Sequence, residues 1–436
     1  MGKGNDNKDR KIDKKWEKLF EELRILENID KENQYFISAE QIKKYYEPRL
    51  MTKFDYKDSL PSIFVENKLS ILPVTRGNYI IGRFRAYQDF NDERKTKIEK
   101  INFPEWIEGI DYKNIYSEAN AINCAYISKI FNNILEDEEV YLTFNGRMSS
   151  GKFDFYINDI SNNQFKISVD RAQCEVDAAF EGRDKILLLE AKNSIFKDFI
   201  TRQLYYPYRL ISNKVNKTVI PCYLTYSNNV FSFYIYDVEQ DENYNSLKLK
   251  KIRKFMIDDF NITVDDVIKI IKTNRVLEEP LDIPFPQADT FENIIGIINK
   301  LYEEKEFISK EEITVDFGIV SRQADYYSNA CAYLGLANRQ LRKGTISISD
   351  KGRKIMEMRS TEKYLSLFKL ILSHNVFNYA MKIYLNTLNV PSVSDIVAIM
   401  EKCNIKRVNN DTRGRRARTV RSWLNWILDV IAISES

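Results

Sequence analysis

The period of the apolar positions changes twice along the chain, and the two changes divide it. From Trp16 to Leu26 apolar residues recur at helical spacing, short mixed elements follow through Phe84, and residues 118–135 predict an amphipathic helix. Residues 1–110 therefore read as a mostly helical N-terminal region. From Val140 the period shortens to two: residues 140–144, 152–157, 165–169, 175–180, 186–191, 219–227 and 230–238 each predict a strand, with one helix at 196–211 following the fifth. The expected fold class is α/β, with a mixed sheet flanked by helices in a core spanning residues 111–275.

Pro280, Pro284 and Pro286 fall within seven residues, where they fix φ and remove amide donors, so residues 276–289 read as a Pro-rich linker. Beyond it the helical period returns. In residues 290–360 the pattern predicts paired helices at 310–320 and 321–337, with Ser321 as N-cap of the second, then an alternating segment at 339–352 that turns at Lys343 and Gly344. That succession resembles a winged helix. Residues 361–436 read as a second, basic unit of the same kind, built from 377–388, 392–403 and 412–431.

With 436 residues, 44% apolar and 30% charged, the chain has the size of two or three folded domains. No run approaches the ~18 apolar residues of a membrane span, and residues 1–15 lack the apolar stretch of a signal peptide, so a cytoplasmic protein is expected. Five scattered cysteines offer neither a disulfide framework nor a zinc pair. The single histidine, His374, changes the picture most. Histidine-based triads and multi-histidine zinc sites are excluded, His374 itself is expected to be structural or on the surface, and hydrolytic chemistry is left to carboxylates and lysine. Hard oxygen ligands point to Mg²⁺.

Such a set occurs in residues 175–192. Glu190 and Lys192, two apart on one strand, emerge on the same side, and a turn near Gly182 lets the strand of Asp177 pair antiparallel beside them. Asp177 and Glu190 would hold Mg²⁺, while Lys192 would handle the attacking water and steady charge on a phosphate. The same charges could alternatively be a solvated hairpin end making surface ion pairs.

Asp177 followed by Glu190-Ala191-Lys192 resembles the PD-(D/E)xK nuclease superfamily, with Val176 where a proline often precedes the first aspartate. The wider stretch, including residues 202–209, 48–55 and 69–73, is similar to type II restriction endonucleases. The resemblance implies a restriction-endonuclease-like core, Mg²⁺-dependent and sequence-specific cleavage of double-stranded DNA, a homodimer, and a cognate DNA methyltransferase as genomic neighbour. It also suggests Glu118 as a further acidic ligand. Glu175, two residues before Asp177, could be an alternate or supporting ligand. Gln203 could position water or phosphate, or be a helix-surface amide. Residues 146–152, with Arg147 and Lys152, could present amides and cations to a phosphate or form an ordinary turn.

DNA contacts are expected from Arg322, Gln323, Tyr326 and Asn329 on the 321–337 helix and from Arg339, Arg342 and Lys343 on the ribbon. Residues 406–421 hold seven Lys/Arg and one Asp against a chain total of +3, which concentrates positive charge around Arg413, Arg415, Arg416 and Arg418. Alternative readings are a winged-helix DNA-binding regulator with a non-catalytic nuclease-like domain, and a methylation-dependent, structure-specific or repair endonuclease on the same fold.

Overall fold

The computed structural model describes residues 11–90, 96–194, 196–257, 261–280, 282–303, 306–340, 344–405, 408 and 410–435. Its centre is a seven-stranded mixed sheet. In chain order the strands are β1 (Ile98–Lys100), β2 (Tyr141–Ser149), β3 (Gln173–Glu181), β4 (Lys185–Lys192), β5 (Thr218–Ser227), β6 (Val230–Val238) and β7 (Leu247–Met256). Across the sheet they lie β1-β7-β6-β5-β4-β3-β2, with β4 parallel to β5, β1 parallel to β7 and the other neighbours antiparallel. β4 is covered on both sides. Leu187, Leu189 and Ala191 enter one core with helix α1 (Glu118–Ile127), whereas Ile186 and Leu188 enter another with helix α2 (Arg202–Ser212). A strand buried on both faces needs no polar alternation, which is why its apolar run is unbroken.

Three helices expected as single pieces are interrupted. The 16–26 stretch divides into Lys11–Glu22 and Ile25–Glu32, because Arg24 adopts a left-handed φ of 48°. The 118–135 stretch ends at Ile127 and resumes at Ile130–Leu135, because Lys129 adopts a left-handed φ of 59°. The 196–211 stretch becomes helical only at Arg202, since Asp198–Ile200 extends to pair with Tyr87–Asp89. In the N-terminal region, short helices share a core with a three-stranded antiparallel sheet ordered Gln34–Ser38, Asn78–Gly82, Ser70–Pro73. Apolar runs that short have no decisive period, so that sheet is absent from the helical expectation.

The C-terminal half opens with α3 (Phe291–Glu303), strand Ile308–Ser309, α4 (Lys310–Asp316), α5 (Ser321–Tyr333) and a hairpin of Ala337–Gln340 with Thr345–Ile348. Ile308–Ser309 pairs with Thr345–Ile348, making three strands. Arg342 and Lys343 lie outside the described residues. Helices follow, ending in α6 (Asn410–Glu435), and among the described residues no strand follows Ile348, so the second unit has no ribbon. One apolar core runs from Ile262 and Val267 through Phe291, Leu334 and Phe368 to Trp423 and Ile427, across the expected division at 360. The Pro-rich segment joins it: Phe285 and Ala288 are buried, Leu277 N–H donates to the Ser373 carbonyl at 2.8 Å, and the Trp423 indole donates to the Ala288 carbonyl at 2.7 Å. Proline forbids regular hydrogen bonding, not packing. No helix among the described residues is long and apolar enough to cross a membrane.

Candidate active site

The β3–β4 ladder pairs Ile186 with Glu181 through Leu189 with Ala178. On the other side of β3, Phe144 pairs with Ala179 but Gly146 with Val176, so β3 carries one extra residue around Asp177 and Ala178. A bulge of this kind re-aims a side chain. The Asp177 Oδ2 then accepts the Ala191 N–H at 2.7 Å, so a carboxylate continues the ladder where backbone pairing stops. Lys192 folds back from the end of β4. Its Nζ donates to Glu190 Oε1 at 2.7 Å and to the Ala191 carbonyl at 2.8 Å, and lies 4.0 Å from Asp177 Oδ2. From α2, Gln203 Nε2 donates to the same Glu190 oxygen at 2.7 Å.

This cluster is largely out of water. Glu190 is 7% exposed, and burial, reinforced by Asp177 and opposed by Lys192, pushes its carboxyl up to about 8. Burial alone would lower the Lys192 ammonium, but Glu118 and Glu190, with Tyr223 and Asp177 behind them, outweigh it and hold Lys192 well above its ordinary value. Glu118, at the start of α1, is raised by burial and by Asp177, while Lys192 and the Asn193 N–H favour its charged form. Asp177, Glu190, Lys192, Glu118 and Gln203 are thus brought together. Gln203 is not a surface amide, for its Oε1 is buried without a hydrogen-bond partner.

Other candidates are placed elsewhere. Glu175 is exposed and paired with Arg147, its cross-strand neighbour, at 3.3 Å, so its carboxylate stays outside the cluster. Lys152 is exposed at the start of strand Lys152–Asn158, and residues 146–152 pass from one strand to the next through Ser150 and Gly151. On α5, Val320 rather than Ser321 is the N-cap, and Gln323 Oε1 accepts the Val320 N–H at 2.9 Å, which gives Gln323 a structural task. Arg322 is exposed with its guanidinium 5.6 Å from the Tyr326 ring centre, and Arg339 is half-buried on the hairpin. The Asn329 Oδ1 is buried without a partner. On α6, Arg415 and Arg418 are exposed, Arg413 pairs with Glu401 at 2.7 Å, and Arg416 donates to the Phe285 carbonyl. His374 is buried, stacked on Tyr333 and 3.2 Å from Glu279.

Some residues at the cluster carry no local sequence signal. Tyr223 stands opposite Glu190 in parallel register on β5, and its hydroxyl meets that of Tyr56 at 3.5 Å. A cleft of about 350 Å³ beside Glu118 and Lys192 is walled on its far side by Asn299 and Lys300 of α3 and by Asp316 and Phe317. These partners arise only from tertiary packing.

Three family models match successive parts of the chain: Domain of unknown function (DUF6996) at residues 13–81, Domain of unknown function (DUF6997) at residues 82–256 and Domain of unknown function (DUF7226) at residues 293–432. The second ends with β7 and contains the whole carboxylate and lysine cluster. No curated protein and no solved structure matches the chain.

Proposed function

We propose that this chain is a Mg²⁺-dependent endonuclease cutting double-stranded DNA at a specific sequence, of the type II restriction kind. The observation that carries the reading is the convergence of Asp177 and Glu190 on one lysine, Lys192, at the split end of β3 and β4. The donor set fits the ion: it is all oxygen, and Glu190 is held in a place where its negative charge lacks full compensation, a deficit a divalent cation would fill. Asp177 and Glu190 would hold Mg²⁺; among the described residues Glu118 does not join them in a group of three placed to share an ion. When bound, the ion would supply charge neutralisation on the scissile phosphate and on the leaving oxygen.

The chain's own groups do the rest. Gln203 fixes the Glu190 carboxylate from α2, and the Ala191 N–H fixes Asp177, so neither ligand has to be ordered when substrate arrives. Lys192, kept cationic by three carboxylates, orients the attacking water and steadies charge growing on the phosphate. In the C-terminal half, the order helix, strand, helix, helix, hairpin is that of a winged helix and supports a DNA-binding role, with Arg322, Arg339 and the exposed arginines of α6 as phosphate contacts. Two active sites in a homodimer would serve the two strands.

Incubating plasmid with the protein and Mg²⁺ should give discrete fragments, while Asp177→Ala, Glu190→Ala and Lys192→Ala should each lower cutting at least about 10³-fold. Specific duplex binding with no cutting of any DNA would overturn the reading in favour of a regulator carrying a silent nuclease-like domain.

A further inference from the structure

We infer that the cleft beside Lys192 is a two-unit phosphodiester site, in which Lys300 of the C-terminal unit faces Lys192 and takes the substrate phosphate. This rests on the nuclease reading and extends it to the half of the chain expected only to read sequence.

Four observations converge on it. The cleft has catalytic residues on one wall, Glu118 and Lys192, and α3 with the end of α4 on the other. Its volume of about 350 Å³ lies at the small end of ligand sites, room for one phosphodiester with its adjoining sugar rather than for a duplex body. Glu118, Lys192 and Lys300 all line the cleft, and both ammonium groups favour the charged form of Glu118. The Oδ1 atoms of Asn193 and Asn299, one on each wall, are buried without hydrogen-bond partners, which marks the seam as polar and incompletely satisfied.

The two units are closely seated there. A Cβ on Gly296 would come within 3.1 Å of Ser194 Oγ, and one on Gly318 within 2.4 Å of the Tyr56 ring. Tyr116 and Tyr302 meet edge to face at 5.6 Å. Lys300 is therefore held at the catalytic wall by packing. Its present partner is Asp316, and both side chains are about a quarter exposed. An exchangeable ion pair that is still a quarter exposed on both sides contributes little to folding. Trading Asp316 for a phosphate oxygen costs Lys300 little, and the trade places a cation on the side of the phosphate away from Lys192. The reaction remains hydrolysis as proposed, since Lys300 binds charge and neither gives nor takes a proton.

Three full-length variants test the assignment: Lys300→Met, Lys300→Arg and Asp316→Asn. Binding of a short fluorescent DNA duplex in Ca²⁺ across a salt series would be read beside plasmid cutting in Mg²⁺ and melting temperature. Lys300→Met should lower the salt slope by about one and cutting at least about tenfold, with melting unchanged. Lys300→Arg should restore both, and Asp316→Asn, which only releases the lysine, should leave both at or above wild type. The assignment is overturned if Lys300→Met matches wild type, if Asp316→Asn loses as much as Lys300→Met, or if the duplex does not bind. Should Lys300→Met unfold, Asp316→Asn and Lys300→Gln carry the same comparison. Lys300-dependent binding in a protein that never cuts would remove the nuclease reading and leave the phosphate contact standing.

Discussion

Glu190 is a carboxyl placed where burial and a neighbouring aspartate both favour its protonated form, with Lys192 and Gln203 opposing them. Its folded value of about 8 lies above the 4.5 of a free glutamate side chain, so between those limits the folded chain keeps a proton that the unfolded chain releases. Stability that is fully present below about 4.5 is then lost as pH rises through about 8, with a slope of up to about 1.4 kcal/mol per pH unit. Glu190→Gln removes the titration, so denaturant titrations between pH 5 and pH 9 should show a flatter profile for the variant than for wild type. On the proposed function Mg²⁺ would bind the ionised carboxylate, and it should then raise the wild-type melting point more at pH 8 than at pH 6; an equal rise at both would discount Glu190 as a ligand. At this scale much was legible in the sequence, because alternation alone puts Glu190 and Lys192 on one side of a strand. Glu175 was not, since its neutralisation by Arg147 depends on a cross-strand register that no local pattern specifies.

Among elements, the bulge in β3 deserves the closest test, because it makes Asp177 both a ligand candidate and a ladder acceptor. Asp177→Asn keeps an oxygen for the Ala191 N–H while removing the charge, whereas Asp177→Ala leaves that amide without an acceptor. Chemical denaturation should place the alanine variant about 1–3 kcal/mol below the asparagine variant, with both inactive in plasmid cutting. Equal stabilities would mean that water replaces the carboxylate at Ala191. Long strands were readable from their period and β4 from its unbroken apolar run, but the bulge was not, because an inserted residue leaves no compositional mark. The same limit hid the strand Asp198–Ile200 and the N-terminal sheet, each of which exists through a partner distant in sequence, while the break at Lys129 is a single left-handed residue that the apolar period does not register. On α5 the expected cap was one residue late: Gln323 reaches back to Val320 and fixes the helix start there.

For the whole molecule, the stretch holding Pro280, Pro284 and Pro286 separates two readings of how the C-terminal half is held. A free linker predicts that Phe285→Ala changes stability by less than ~0.5 kcal/mol, as surface substitutions do. The packed segment predicts otherwise. Phe285 is 6% exposed, stacks on Phe377 with ring centres 5.8 Å apart, meets the edge of Tyr333 at 5.7 Å, and offers its carbonyl to Arg416 of α6. Removing the ring should cost about 3 kcal/mol or more through lost burial and the cavity left behind. Because one core runs from Ile262 to Ile427, that loss should move the unfolding of α3, α5 and α6 together rather than free a single domain. Hydrogen exchange read by mass spectrometry would show it as a common rise in exchange for peptides from 291–303, 321–333 and 412–431. A rise confined to residues around 285 would restore the linker, and with it the independence of the unit that brings Lys300 to the cleft.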